Sequence, residues 1–99
     1  MTELTSTVTR TTGGEQVHCQ EVAVSDSEWT PVVAGHDCLS VLVGLRTGAA
    51  WHLFPVGSGS SYKTIRGDIN LDMASSAGDI LFYARSASGS DTLEVMELS

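Results

Sequence analysis

Lysine occurs once in the chain, at Lys63, and Lys and Arg together number only 5 against 12 Asp and Glu. Five scattered cations cannot neutralise a run of phosphates, so the composition excludes a basic nucleic-acid-binding face. No stretch of about 18 apolar residues is present, which excludes a membrane-spanning helix. Ala, Glu, Lys and Leu do not recur at helical spacing, so coiled coils and helical bundles are excluded as well. Residues 1–12 have neither a basic start nor an apolar run, and they are not read as a signal peptide. The expected place of synthesis is the cytoplasm. The two cysteines, Cys19 and Cys38, are too few for a disulfide scaffold. They are compatible with free thiols in a reducing compartment, and equally with one disulfide after release.

What the chain does contain is 13 Ser, 10 Thr, 10 Gly and 10 Val in 99 residues, with a net charge of −7. That length suits one small domain. With 41% hydrophobic and 17% charged residues it is not disordered. Residues 1–14 are Thr-rich, hold only Leu4 and Val8 to bury, and end at Gly13-Gly14. They read as an extended arm ahead of a domain over 15–99. From Glu15 onward, short runs of β-formers alternate with turn clusters every 8–12 residues or so, the signature of a sandwich or barrel. Cys38–Arg46 alternates most cleanly and reads as the most central strand, with Leu39, Val41, Val43 and Leu45 on one face. Trp51 and Leu53 oppose His52 and Phe54; Ile80, Phe82 and Ala84 oppose Leu81 and Tyr83. Pro31 marks an edge strand or a strand start. Residues 86–90, with Gly89 in a left-handed position, read as the loop of a closing hairpin. The fold class expected is all-β: an antiparallel β-sandwich, jelly-roll-like, of seven or eight short strands.

Candidate chemistry is sparse. His18-Cys19 and His36-Asp37-Cys38 supply ligand types for zinc, but adjacent residues on a strand point to opposite faces and no Cys-x-x-Cys pair exists. Buried thiols and surface histidines are the simpler reading, so no metal and no cofactor is assigned. No Gly-x-Ser-x-Gly elbow supports a nucleophile, and serine abundance follows from turns, so no catalytic residue is assigned. Asp68, Asp72 and Asp79 lack a calcium-loop spacing. Arg66-Gly67-Asp68 spells an adhesive tripeptide, but a strand bend explains it equally well. Trp29, Trp51, Tyr62 and Tyr83 could form a sugar-stacking platform, although a core of this size competes for them.

Val22-Ala23-Val24 leads into Ser25-Asp26-Ser27-Glu28-Trp29-Thr30, and Leu39-Ser40-Val41-Leu42-Val43 follows as a central strand. The chain closes with Ala77-Gly78-Asp79-Ile80-Leu81-Phe82-Tyr83-Ala84-Arg85, a Ser-Gly turn, and Thr92-Leu93-Glu94-Val95. In this pattern residues 22–98 resemble small virion proteins of tailed bacteriophages, of the capsid-decoration (cement) and head-fibre type. The two cysteines and the His36-Asp37 turn depart from the pattern. The resemblance implies a non-enzymatic sandwich, often a homotrimer, on the outer capsid surface of a virion. Its partner would be the major capsid protein, with no nucleic acid and no membrane involved. The arm residues Leu4, Thr5, Thr7, Val8, Thr9 and Arg10 are the expected capsid or subunit contact, through strand addition. Trp29, Pro31 and Val33 are the expected subunit interface. The alternative is a receptor- or carbohydrate-binding module of a phage fibre or tail, which requires an exposed aromatic cluster around Trp29.

Overall fold

Alternation of apolar and polar residues, broken every few positions by Gly, Ser or Asp, favours short strands joined by tight corners. The computed structural model describes residues 17–48, 50–57 and 59–99. The arm, including Leu4, Thr5, Thr7, Val8, Thr9 and Arg10, lies outside the described residues. Eight strands follow in chain order: β1 Val17–Val24, β2 Thr30–Val33, β3 Cys38–Leu45, β4 Ala50–Pro55, β5 Lys63–Arg66, β6 Ile69–Ser75, β7 Ile80–Ser86 and β8 Asp91–Leu98. No helix occurs among the described residues.

The strands form two four-stranded antiparallel sheets, ordered β1-β8-β3-β6 and β2-β7-β4-β5. Pairing therefore runs first with last, second with seventh, third with sixth and fourth with fifth. That nesting is a jelly roll, a long antiparallel ribbon rolled into two layers. The expected sandwich stands, with β3 interior to its sheet and Pro31 on the edge strand β2.

The core lies between the layers. Trp51 and Phe82 meet at 5.9 Å between centroids, and Val32, Val41, Val43, Leu53, Leu93 and Val95 surround them. The Trp51 indole N–H donates to the Gly67 carbonyl at 3.2 Å, so its polar edge is satisfied inside the fold.

Three details differ from the sequence expectation. The closing hairpin is not formed. β7 pairs with β2 and β4, whereas β8 pairs with β1 and β3, so residues 87–90 arch between the sheets. Gly89 does take a positive φ of 69°, and its N–H donates to Asp26 Oδ2 at 2.8 Å. Turn chemistry specifies a chain reversal but not the layer in which the next strand pairs. Leu39 leaves the inner face: the β3–β6 register shifts between Cys38 and Ser40, burying Cys38 and leaving Leu39 66% exposed. A second register shift, between β2 and β7, buries Leu81 beside Phe82 and turns Ile80 outward.

Arg66-Gly67-Asp68 is the corner where the chain passes from β5 to β6, with Gly67 at φ 106°. The Asp68 carboxylate lies on the outer surface of Gly44, where a Cβ would meet its Oδ1 at 1.9 Å. A carboxylate packed on backbone is a structural element and not a projecting adhesive tip. Gly44→Ala should cost about 1–2 kcal/mol in urea denaturation, and Asp68→Ala in that background should recover most of the loss.

Candidate recognition surface

The strands of the two sheets divide the charge between them. β1, β3, β6 and β8 carry five carboxylates (Glu21, Asp72, Asp91, Glu94 and Glu97) and no Lys or Arg. β2, β4, β5 and β7 carry Lys63, Arg66 and Arg85 and no carboxylate. The cations are thus not scattered, as the sequence reading assumed. Antiparallel register gathers three of the four described ones onto one sheet. Of those four, Arg46 alone is ion-paired, with Glu21 and, at 2.8 Å, Glu94 on the acidic sheet.

The outer face of β2-β7-β4-β5 also carries most of the aromatic rings. Inward-facing Trp51 and Leu53 force His52 and Phe54 outward, by the period of two. Register then aligns Pro31 with Tyr83, and Tyr83 with Phe54, across three strands. It likewise aligns Arg85 with His52, and His52 with Thr64. Trp29, delivered by the turn before β2, lies against both rows. Its ring is 5.5 Å from Phe54 and 5.5 Å from Tyr62, and the Arg85 guanidinium stands 4.5 Å over its centroid. Tyr62 lies 4.9 Å from His52 and 5.6 Å from the same guanidinium. Tyr62 is 49% exposed, and Trp29, Phe54, Tyr83 and Arg85 are half-buried.

His52 Nδ1 is 3.0 Å from the Thr64 hydroxyl. Burial holds its pKa below the usual histidine value, and the positive charges of Arg85 and Arg66 depress it further. The ring is therefore neutral at neutral pH, and the positive charge of the face belongs to its arginines.

A second polar cluster closes one end of the sandwich. Glu97 continues the inward row of Leu93 and Val95 but is 1% exposed. Its carboxylate accepts from the Gly35 N–H at 2.8 Å, the Gln20 amide at 2.8 Å and His36 Nδ1 at 3.1 Å. His18 stacks on His36 with centroids 3.6 Å apart. Burial pushes the Glu97 carboxyl up, but the three donors outweigh it and hold the group below the usual carboxylate range.

Of the predicted interface residues, Trp29 joins the aromatic cluster, Pro31 is exposed beside Tyr83, and Val33 is 40% exposed past the register shift. Trp51, offered as part of a sugar platform, belongs to the core instead. Cys19 is exposed on the acidic sheet and Cys38 is buried; both are free thiols. Burial first, then the charges of Glu97, Asp37 and Asp79, push the Cys38 thiol up and keep it protonated. Among the described residues no three His, Cys, Asp or Glu side chains form a metal-holding group. Concavities of about 260 and 450 Å³ open elsewhere, and neither is lined by a histidine. The sequence reading missed Arg85, Phe54 and His52 as surface partners of Trp29, although the alternation on β4 set two of them on the face opposite Trp51 and Leu53. No family model matches the chain, and no curated protein or solved structure matches it either.

Two measurements check this arrangement. Below about pH 4.5 the unfolded chain takes up protons that native Glu97 refuses, so stability present above that pH is lost as pH falls through the lower native value. The urea midpoint of the wild type should drop on acidification. Glu97→Gln should start about 1–2 kcal/mol less stable at pH 7 and fall less steeply. NMR titration of His52 should give a pKa below 6.5, and Arg85→Leu should raise it by removing a neighbouring positive charge.

Proposed function

We propose that this chain is a non-enzymatic binding module of a bacteriophage particle, engaging a receptor or carbohydrate through the outer face of β2-β7-β4-β5. The observation that carries this reading is the ring cluster of Trp29, Phe54, Tyr62 and Tyr83 around Arg85, which the core does not use. A protein of this size places an aromatic group outside its core at the expense of solubility, and such groups are enriched where partners bind. The phage setting rests on the resemblance of residues 22–98 as sequence. Within it, residues 77–95 carry the pattern without forming the hairpin it resembles.

A specific feature favours a second reading, capsid decoration by a homotrimer. Pro31 and Val33 are exposed on β2, the open edge of the same sheet, where a neighbouring subunit could cover them together with Trp29. The arm over 1–14 would then supply the anchor to the major capsid protein.

One experiment separates the two. Under the recognition reading the purified chain is a monomer by light scattering, and Trp29→Ala folds normally while losing about tenfold in affinity for its ligand. Under the decoration reading the chain is a trimer that co-sediments with empty capsids, and removing residues 1–12 abolishes that attachment. A monomer whose binding is unaffected by Trp29→Ala sinks the first reading. A monomer with no affinity for capsids sinks the second.

A further inference from the structure

On the reading that this aromatic face binds a saccharide, we infer that the ligand is acidic: an oligosaccharide whose carboxylate or sulfate is taken by Arg85 and Arg66 while Trp29 and Tyr62 carry its rings.

The inference begins with the arginines. In a chain of net charge −7, carboxylates are abundant enough to pair every cation. Arg46 is paired twice on the acidic sheet. Arg85 and Arg66 make no ion pair among the described residues, and no strand of their sheet supplies an acid. Glu28, the carboxylate nearest Trp29 in the chain, is exposed in the preceding turn. Stacking does not consume the guanidinium of Arg85. Its central carbon stands 4.5 Å over the Trp29 ring and 5.6 Å from the Tyr62 ring, and a guanidinium held against rings makes no hydrogen bond to them, so its N–H donors stay available. Two rings that hold an arginine in place restrict where its donors can go, and the planar guanidinium is the group that binds a carboxylate or sulfate two-fold.

The remaining groups suit a sugar. Aromatic faces take the C–H faces of a pyranose, and Thr64 and neutral His52 offer hydroxyl and imidazole groups between the two arginines. Arg85 lies on β7 and Arg66 on β5, with β4 between them and an offset of two residues along the strands, so their backbones are separated by roughly 12 Å. That span exceeds one ring and favours an extended oligosaccharide. A nucleic-acid strand is the other aromatic-stacking polyanion. Three cations on one sheet and carboxylates over the rest of the surface favour a ligand with few, spaced charges over one charge per unit.

The test is calorimetric titration of the full chain with four probes: an oligogalacturonate, a sulfated oligosaccharide, a neutral maltohexaose and a thymidine oligonucleotide. The proposal expects a carboxylated or sulfated sugar to bind at least tenfold more tightly than the neutral one, with affinity falling as salt rises. The stronger of the two acidic probes identifies the anionic group. Arg85→Gln should lower that affinity at least tenfold at unchanged melting temperature, with Arg66→Gln acting in the same direction. Arg46→Gln, which makes the same charge change on the other sheet, should leave it unchanged. Equal binding of neutral and acidic sugars overturns the acidic ligand while keeping the saccharide face. Binding of no sugar, or tightest binding of the oligonucleotide, overturns both. If Arg46→Gln weakens binding as much as Arg85→Gln, net charge and not this site is responsible, and the assignment fails.

Discussion

The inner space of this jelly roll is small, and one pair of rings fills its centre. Trp51 and Phe82, both essentially inaccessible, occupy the width between the sheets, and valine is the commonest residue in the remaining layer. Strand geometry then leaves no freedom. On β4 the residue after an inward Trp51 must face outward, and Leu53 inward puts Phe54 outward in turn. The aromatic face is therefore a consequence of how the core is filled. Further inward rings would overpack it, and shifting β4 by one residue would exchange the whole set.

Glu97 imposes the second constraint. A carboxylate on the inward row of β8 is tolerable only because three donors from β1 and from the β2–β3 corner converge on it. Those donors are separated from Glu97 by 61 to 77 residues in the chain. The cluster therefore ties both ends of the domain to the corner that follows β2. It acts at the end of the sandwich where the apolar layer runs out and hydrophobic burial has least to offer.

The fold class, the span of β3 to within a residue, and the placement of His52 and Phe54 opposite Trp51 and Leu53 were legible because a period of two is a local property. Leu93 and Val95 were legible as core for the same reason. The next inward position, Glu97, follows from the same alternation, but a charged residue discourages that assignment unless its distant donors are known. The arch between β7 and β8 was not legible. Its Ser-Gly turn satisfies a hairpin and a crossover equally, and only the pairing of β8 with β1, some seventy residues earlier, decides between them. Leu39 and Ile80 escaped for a related reason, since a register shift depends on two strands at once. The cationic character of the aromatic face was hidden by composition. Arg85 and Arg66 look dispersed along a strongly acidic chain until the roll brings β5 and β7 into one sheet.

Net charge is thus a poor guide to what this surface attracts. At −7 the chain as a whole repels anions, yet the carboxylates on its strands all belong to one layer and the unpaired arginines to the other. At an ionic strength near 0.15 M the field of each layer decays over about 8 Å, less than the thickness of a two-sheet sandwich with its side chains. An approaching group therefore feels the layer it faces. For an anion, the β2-β7-β4-β5 face is attractive and the opposite face repulsive, so approach is oriented before contact is made. The same separation works on the aromatic rings. A guanidinium held over Trp29 keeps water-soluble charge within an otherwise greasy patch, which lowers the tendency of such a face to self-associate while leaving the exposed Tyr62 ring and the N–H donors to a partner.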